Sequence, residues 1–305
     1  GIIDAPAGRG LVVQPRTRLI VSLDVLVPGE TATAVHVIAR TGRVGATVDD
    51  DQMTGLLSIG TDWIPPATMP TTKLYVPGVL PGDGARVLTV VSPGENDALV
   101  NIRVLTSDGA FAPAERDSMR VPAGAVASMD MAPVLDGQPA TIEITSDQPV
   151  TAGMRQFIVA KGKRQRDTTF SSGRLPFTAP AAVSGLPNRR ATTIHLGITA
   201  PEGDATVAVT LLPYAGPGAA AKATAVRRVT VQAGQIVWIP VTPPANAEWF
   251  TAVVTPEPGS GPVLVAHRVR EVSAFGDLVT GYPWDPLRTE VSVPTATEDL
   301  GLTNR

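Results

Sequence analysis

"DALVNIRVLT" (Asp97–Thr106) decides the fold, because the chain writes it again as "DATVAVTLLP" (Asp204–Pro213). Val100, Ile102 and Val104 of the first copy answer to Val207, Val209 and Leu211 of the second. Apolar residues at every second position turn one face of an extended chain toward a core and the other toward water, so both stretches read as half-buried strands. Just upstream, "VVSPGENDA" and "GITAPEGDA" put a Pro/Gly turn before each strand. Pro presets φ, Gly permits positive φ, and Asn or Asp tolerates the left-handed region, so these are turns with a mechanism.

Working outward, the likeness continues. "VPAGAVASMDM" from Val121 matches "VQAGQIVWIPV" from Val231 with the Ala-Gly turn in register, and "VQPRTRLIVSLDV" from Val13 is a third copy with a two-residue gap. "AVHVIARTGRVGATV" (Ala34–Val48) lies over "ATIEITSDQPVTAGM" (Ala140–Met154). "EITSDQPVTAGMRQ" (Glu143–Gln156), read as strand–turn–strand, has a worn echo in "VTPEPGSGPVLVAHRV" (Val254–Val269). One full unit then predicts strands near Lys73–Val76, Arg86–Val91, Ala98–Leu105, Ser118–Val121, Ala125–Met131, Ala140–Thr145 and Val150–Phe157. Short strands with turns about every 8 to 12 residues are the pattern of a β-sandwich. No stretch of any length has helical periodicity, and Pro and Gly interrupt most candidates.

The expected fold is therefore all-β: tandem immunoglobulin-like or Greek-key β-sandwich repeats of about 106–110 residues, the first copy incomplete. The expected units are 1–55 (the second half of a repeat), 56–167, 168–275, and a C-terminal segment 276–305. "YPWDPLRTEVSVP" near the end resembles the lead-in "DWIPPATMPTTKLYVP" and reads as the start of another repeat. Half a sandwich leaves an apolar face and bare edges. Two completions are open: strands upstream of residue 1, or the C-terminal strand near Thr289–Val293 folding back.

Composition narrows the function. A net charge of −3 and a pI near 5.7 give no basic face of the kind nucleic-acid binders carry. Charged residues are 17%, with 29 Gly and 29 Pro spread singly between apolar runs, which argues against disorder. With no cysteine, disulfides, thiolate nucleophiles and Cys-ligated zinc are all excluded. No apolar run is long enough to span a membrane, and no signal peptide is present. The opening "GIIDAPAGRG" lacks Met, as a processed start would.

The sentence "VVSPGENDALVNIRVLTSDGAFAPAERDSMRVPAGAVASMDMAPVL…ATIEITSDQPVTAGMR" resembles a family of uncharacterised actinobacterial proteins, domain of unknown function 5719. The resemblance lies in Pro93–Gly94, Val100–Val104, Ser107–Gly109, Val121–Gly124 and Thr145–Ala152. It implies a secreted or membrane-anchored envelope protein, anchored by a segment outside this chain, and assigns no catalytic residue. The later copy departs from the pattern, with Tyr214–Gly216 in place of Ser-Asp-Gly and a longer "TPEPGSGP" loop.

Candidate chemistry is sparse. His36, His195 and His267 fall opposite Ile142, Leu88 and Met154 of the complete unit, so no two are brought together, and no zinc-binding helix spacing exists. There is no G-x-S-x-G elbow and no S-x-x-K. Asp49, Asp50 and Asp51 are a calcium candidate, since consecutive acids supply oxygens, although the EF-hand spacing is absent. Lys161, Lys163, Arg164 and Arg166 form a local cationic run suited to an anionic polymer or headgroup. Trp63 and Trp284 occupy similar Pro-rich lead-ins and read as plugs between units or as a sugar platform; Trp238 and Trp249 read as packing residues. The sequence thus predicts a non-enzymatic, extracytoplasmic scaffold or protein-interaction module, without cofactor, whose partner is an envelope protein or cell-wall polymer. A carbohydrate-binding module and a carboxylate-dependent hydrolase are the alternatives.

Overall fold

The structure, a computed structural model, describes residues 5–29, 32–159, 165–216, 222–223, 225–245, 247–273 and 276–287. Its first part departs from expectation. Between residues 5 and 47 the described backbone holds a 3-10 turn at Pro6–Gly8 and one helical turn, α1 (Leu23–Leu26), and no strand. The alternation that predicts strands in Val13–Val25 and Ala34–Val48 is present, but their neighbours in a sandwich have no counterpart in this stretch. A strand without neighbours leaves every backbone N–H and C=O to water and gains nothing from its pattern. The stretch near Thr289–Val293 lies outside the described residues.

Regular structure begins with a hairpin of β1 (Val48–Thr54) and β2 (Leu57–Ile64). A first sandwich follows, from β3 (Thr71–Val79), β4 (Arg86–Ser92), β5 (Ala98–Thr106), β6 (Gly109–Phe111), β7 (Ser118–Val121), β8 (Ala125–Asp130), the short α2 (Ala132–Leu135), β9 (Ala140–Val159) and β10 (Gln165–Ser172). A second is built from β11 (Ala181–Pro187), β12 (Thr192–Ala200), β13 (Ala205–Pro213), β14 (Ala225–Val231), β15 (Gln235–Val241), β16 (Trp249–Pro256), β17 (Leu264–Ser273) and β18 (Gly276–Thr280).

One layer of the first sandwich runs β3–β9–β5–β7, with β6 also on β5; the other runs β10–β9–β4–β8. The second sandwich runs β11–β16–β13–β14 and β18–β17–β12–β15, the same order of pairings. The expected turn in "EITSDQPV" is not formed: β9 continues for 20 residues. Its first part lies between β3 and β5 and its second between β4 and β10, so a bend carries one strand from layer to layer. Strands that switch sheets make the corners of sandwiches. In the second sandwich the longer "TPEPGSGP" loop separates the same two parts into β16 and β17.

Alternation holds where one face meets water. β5 buries Ala98, Val100, Ile102 and Val104 and exposes the residues between them; β13 buries Ala205, Val207, Val209 and Leu211. Each sandwich has its own core, Leu88, Ile102, Ile142 and Met154 in the first, Leu196, Val207, Phe250 and Trp284 in the second. Alternation fails in β3 and the first part of β9, which are buried on both faces. Their outer faces pack against the second sandwich. Thr141 and Thr199 share a buried hydroxyl contact of 2.7 Å, and Lys73 Nζ lies 2.8 Å from Glu202. A Cβ added at Gly78 would stand 2.7 Å from the Ala266 Cβ. The two sandwiches are thus stacked face to face.

Register also corrects one alignment. Leu88 pairs with Met154, and the residue that pairs with His267 is Leu196 rather than His195. The turn Pro93–Asp97 is one residue longer than Pro201–Asp204, so β4 and β12 match one position further along than the sequence suggests. A single step reverses the face. Leu196 is buried in the core, while His195 turns to the other side of the sheet beside Arg268.

Candidate functional site

A cluster of buried and half-buried polar groups lies where β2, β10 and the end of β18 with the segment after it meet. β2 brings Asp62, β10 brings Asp167 and Thr169, and the chain leaving β18 brings Thr280, Gly281 and Tyr282. The Asp62 carboxylate accepts hydrogen bonds from the Tyr282 hydroxyl, from the Thr280 hydroxyl at 3.2 Å and from the Trp63 backbone N–H at 2.9 Å. Asp167 accepts from the Val279 N–H at 2.6 Å and its neighbour Thr168 at 2.9 Å. The Thr169 hydroxyl receives the Gly281 N–H at 3.1 Å. Beside them on β17, His267 is buried and its Nδ1 accepts the Trp284 indole N–H at 2.9 Å. In the neutral imidazole this leaves the proton on Nε2.

Burial sets the electrostatics. It pushes Asp167 up to about 6, opposed by the two backbone donors and reinforced by Asp62. It pushes His267 down to about 4, so the ring is neutral at pH 7. The Tyr282 hydroxyl is raised, by burial first and then by its bond to Asp62, and stays protonated as a donor. Two carboxylates with unlike surroundings are the usual mark of an acid–base pair. Here the hydrogen-bond donors to both are groups of the fold itself. What the geometry does is clasp: hydrogen bonds accepted by Asp62 and Asp167 tie the first hairpin and the first sandwich to the end of the second.

Arg86 is a further buried charged group that sequence reasoning passed over. It opens β4, at the end of an otherwise apolar "VLTVV", and its guanidinium donates to the carbonyls of Leu80, Gly82, Gly84, Ala85 and Phe157 at 2.7–3.4 Å. Burial lowers its pKa to about 10, with Asp130 and Asp83 opposing. The loop can wrap the head group because Gly84 has φ +114 and a Cβ there would meet the Phe157 oxygen. "PGDGAR", with two glycines just before the arginine, was the available signal. Two shallow concavities lie nearby on either side of α2. One of about 180 Å³ is lined by Leu80, Arg86 and Asp136; the other, about 250 Å³, by Thr106, Phe111 and Leu135. Neither takes in Asp62 or Asp167.

The residues singled out from sequence are scattered. Asp49, Asp50 and Asp51 fall consecutively on β1, so the strand's pleat sends the middle one to the opposite face. Asp51 accepts from Thr61 at 2.8 Å, and Asp50 from Gln52 at 2.8 Å. Among the described residues no group of three or more potential ligands could hold a metal ion. Lys161, Lys163 and Arg164 lie outside the described residues; Arg166 is on β10, its side chain not among them. Trp284 is buried in the second core, whereas Trp63 is 52% exposed on β2. Trp238 lies over Gly197, and Arg189 stacks 5.0 Å from the Trp249 ring. Asp62, Asp167 and Tyr282, which do meet, were not picked out: the Asp62–Tyr282 contact joins residues 220 apart.

Over residues 1–242 the chain matches the profile of a family described as "Family of unknown function (DUF5719)". It belongs to that family. The DUF5719 match runs from the N-terminal segment through the first sandwich and into the second as far as the end of β15. No curated protein matches this DUF5719 chain. A solved structure titled "Crystal Structure of Thermotoga maritima 1070" is 14% identical, covering 34% of this chain and 94% of that one with a TM-score of 0.29. That likeness is too weak to bear on fold or function.

Proposed function

We propose that this DUF5719 chain is a non-enzymatic interaction scaffold of the cell envelope, which presents loops and strand edges to a protein or wall polymer from a stiff stack of sandwiches. The observation that supports it most is where the buried polar groups are used. Asp62, Asp167, Arg86 and the Thr141–Thr199 pair hold layers and segments to one another. Ion pairs across the stack, Lys73–Glu202 and Arg174–Asp285 at 2.8 and 2.9 Å, serve the same end. A frame so tied keeps its loops at fixed separations, which suits recognition by presentation.

One observation favours a second reading. Trp63 is half exposed on β2, and an open indole face can stack on a sugar ring. In that reading the same frame displays a carbohydrate platform.

The test combines crosslinked pull-down from native envelope with a glycan array and a hydrolysis assay on wall polymers. The scaffold reading expects a protein partner, no turnover, and no effect of Trp63→Ala on capture. Array binding lost in Trp63→Ala would favour the platform. Hydrolysis abolished by Asp62→Asn or Asp167→Asn in a folded protein would overturn both.

A further inference from the structure

On the face of the β17–β12–β15 layer that turns away from the second core, a group of hydrogen-bond donors lacks acceptors. Register puts Arg268 (β17) and Pro240 (β15) on either side of His195 (β12), and Ala266 and Trp238 on either side of Gly197. Alternate residues of a strand share a face, so Arg268, His195 and Trp238 stand together on it. The Trp238 ring lies across Gly197, where a Cβ would meet it at 2.9 Å. The Arg268 guanidinium reaches over to His195, with Nη2 3.3 Å from Nδ1. A guanidinium only donates, so Nδ1 accepts and the neutral ring carries its proton on Nε2. Arg268 Nε and Trp238 Nε1 are buried atoms with no hydrogen-bond partner. The three side chains as a whole are half-buried, so part of each meets solvent.

Charge sets the group apart. Arg270, two residues on, is matched by Asp277 at 2.5 Å, whereas among the described residues Arg268 faces no carboxylate. Burial first, and then Arg270, lower the Arg268 pKa. Burial and then Arg268 lower that of His195, which is neutral at pH 7. The first sandwich treats the same position differently: Arg155 stacks 4.8 Å from the Phe157 ring, and Asp130 stands where the second sandwich has Pro240. Buried donors in folded proteins are paired, and a buried cation without a counter-charge is costly. We propose that Arg268, His195 and Trp238 form a binding site for one carboxylate group of a ligand, the guanidinium supplying the charge and the indole and imidazole N–H groups the direction. One uncompensated positive charge matches a monoanion, and a planar carboxylate suits the guanidinium fork. An acidic sugar and a peptide end both carry such a group. The site goes beyond the scaffold reading and does not depend on it.

The experiment follows the indole and arginine Nε–H resonances of the full chain, labelled with nitrogen-15, as acetate is added. Acetate should shift the Trp238 and Arg268 signals saturably, while chloride at the same ionic strength does not. Glucuronate and N-acetyl-alanine, compared with acetate, then distinguish an acidic sugar from a peptide end. Arg268→Gln should weaken acetate binding by about tenfold or more. Trp238→Phe, which keeps a ring over Gly197 and loses the N–H, should weaken it by about threefold or more. His195 gives a readout that needs no variant. A bound carboxylate offsets the Arg268 charge, so the His195 pKa should rise in acetate, whereas a purely structural cluster leaves it unmoved. Signals unmoved by acetate, as when an acid of the chain itself already fills the site, would overturn the proposal. So would sulfate binding more tightly than acetate, or a folded Arg268→Gln chain that binds acetate as well as the parent.

Discussion

Asp97 and Asp204 perform the same task in the two sandwiches. Each carboxylate accepts the backbone N–H of the alanine in an Ala-Gly turn, Ala123 at 2.9 Å and Ala233 at 2.8 Å. The turn glycines that follow, Gly124 and Gly234, sit at φ +61 and +74, and each donates its own N–H back to the strand before the aspartate's turn or to that turn itself. The acid that opens "DALV" and "DATV" is therefore part of the strand pairing, holding β7 to β5 and β14 to β13 at their ends.

Replacing Asp204 by Ala should lower stability by about 1 kcal/mol in urea melts, the usual worth of one such hydrogen bond. Asp97 carries an additional partner, Arg120 at 2.5 Å, and its carboxyl lies below the ordinary value, through the Ala123 N–H first and then Arg120. A depressed carboxylate contributes stability above its unfolded pKa and loses it as pH falls. Asp97→Ala should accordingly destabilise at pH 7 and make the acid limb of the stability curve shallower.

Asp167 and His267 should pull the pH dependence in opposite directions. With the Asp167 pKa raised to about 6, the folded state holds the proton more tightly than the unfolded one, so stability declines as pH rises from the ordinary carboxyl value of 3.8 to about 6. With His267 lowered to about 4, the unfolded state takes the proton first, so stability climbs as pH rises from 4 to 6.5. The parent protein should be flatter across this window than either variant. Asp167→Asn should reveal a rising curve and His267→Phe a falling one, in denaturant melts at half-unit pH steps.

The Thr141–Thr199 pair offers a test of the stack. Thr141→Val leaves the Thr199 hydroxyl buried without its partner, which should cost about 1–3 kcal/mol. Adding Thr199→Val should recover part of that loss, because both ends of the contact are then apolar. A double variant whose cost equals the sum of the two single costs would contradict a coupled interface pair.

Arg86→Lys should destabilise the first sandwich by about 3 kcal/mol, because an ammonium cannot reach the five carbonyls that the planar fork serves. Thermal melts with hydrogen exchange would locate the loss around residues 80–86 and Phe157.

Alternation is a property of neighbouring residues, so Val100, Ile102 and Val104 announce their face without knowledge of the rest of the chain. Turn chemistry is equally local, which is why Pro93–Gly94 and the Ala-Gly turns could be read directly. The continuous β9 could not, since Pro149 within "SDQPV" signals a turn as well as a bend, and only the layers on either side decide between them. Arg86 was missed because a single cation at a strand end ordinarily faces water. The Pro-Gly-Asp-Gly loop around it becomes a cage only once Phe157 is brought alongside.

By itself, then, the sequence determined the all-β class, most strands of the first sandwich and the side each β5 and β13 residue faces, because pleat and turn are dictated by residues adjacent in the chain. Tertiary structure alone decided that the outer faces of β3 and the first part of β9 are covered, that Asp62 reaches Tyr282, and that the pattern in residues 13–47 yields no strand among the described residues. Burial of a second face, a hydrogen bond between distant segments and the pairing of a strand all depend on what lies across the gap, and a neighbour in space leaves no periodicity in the chain.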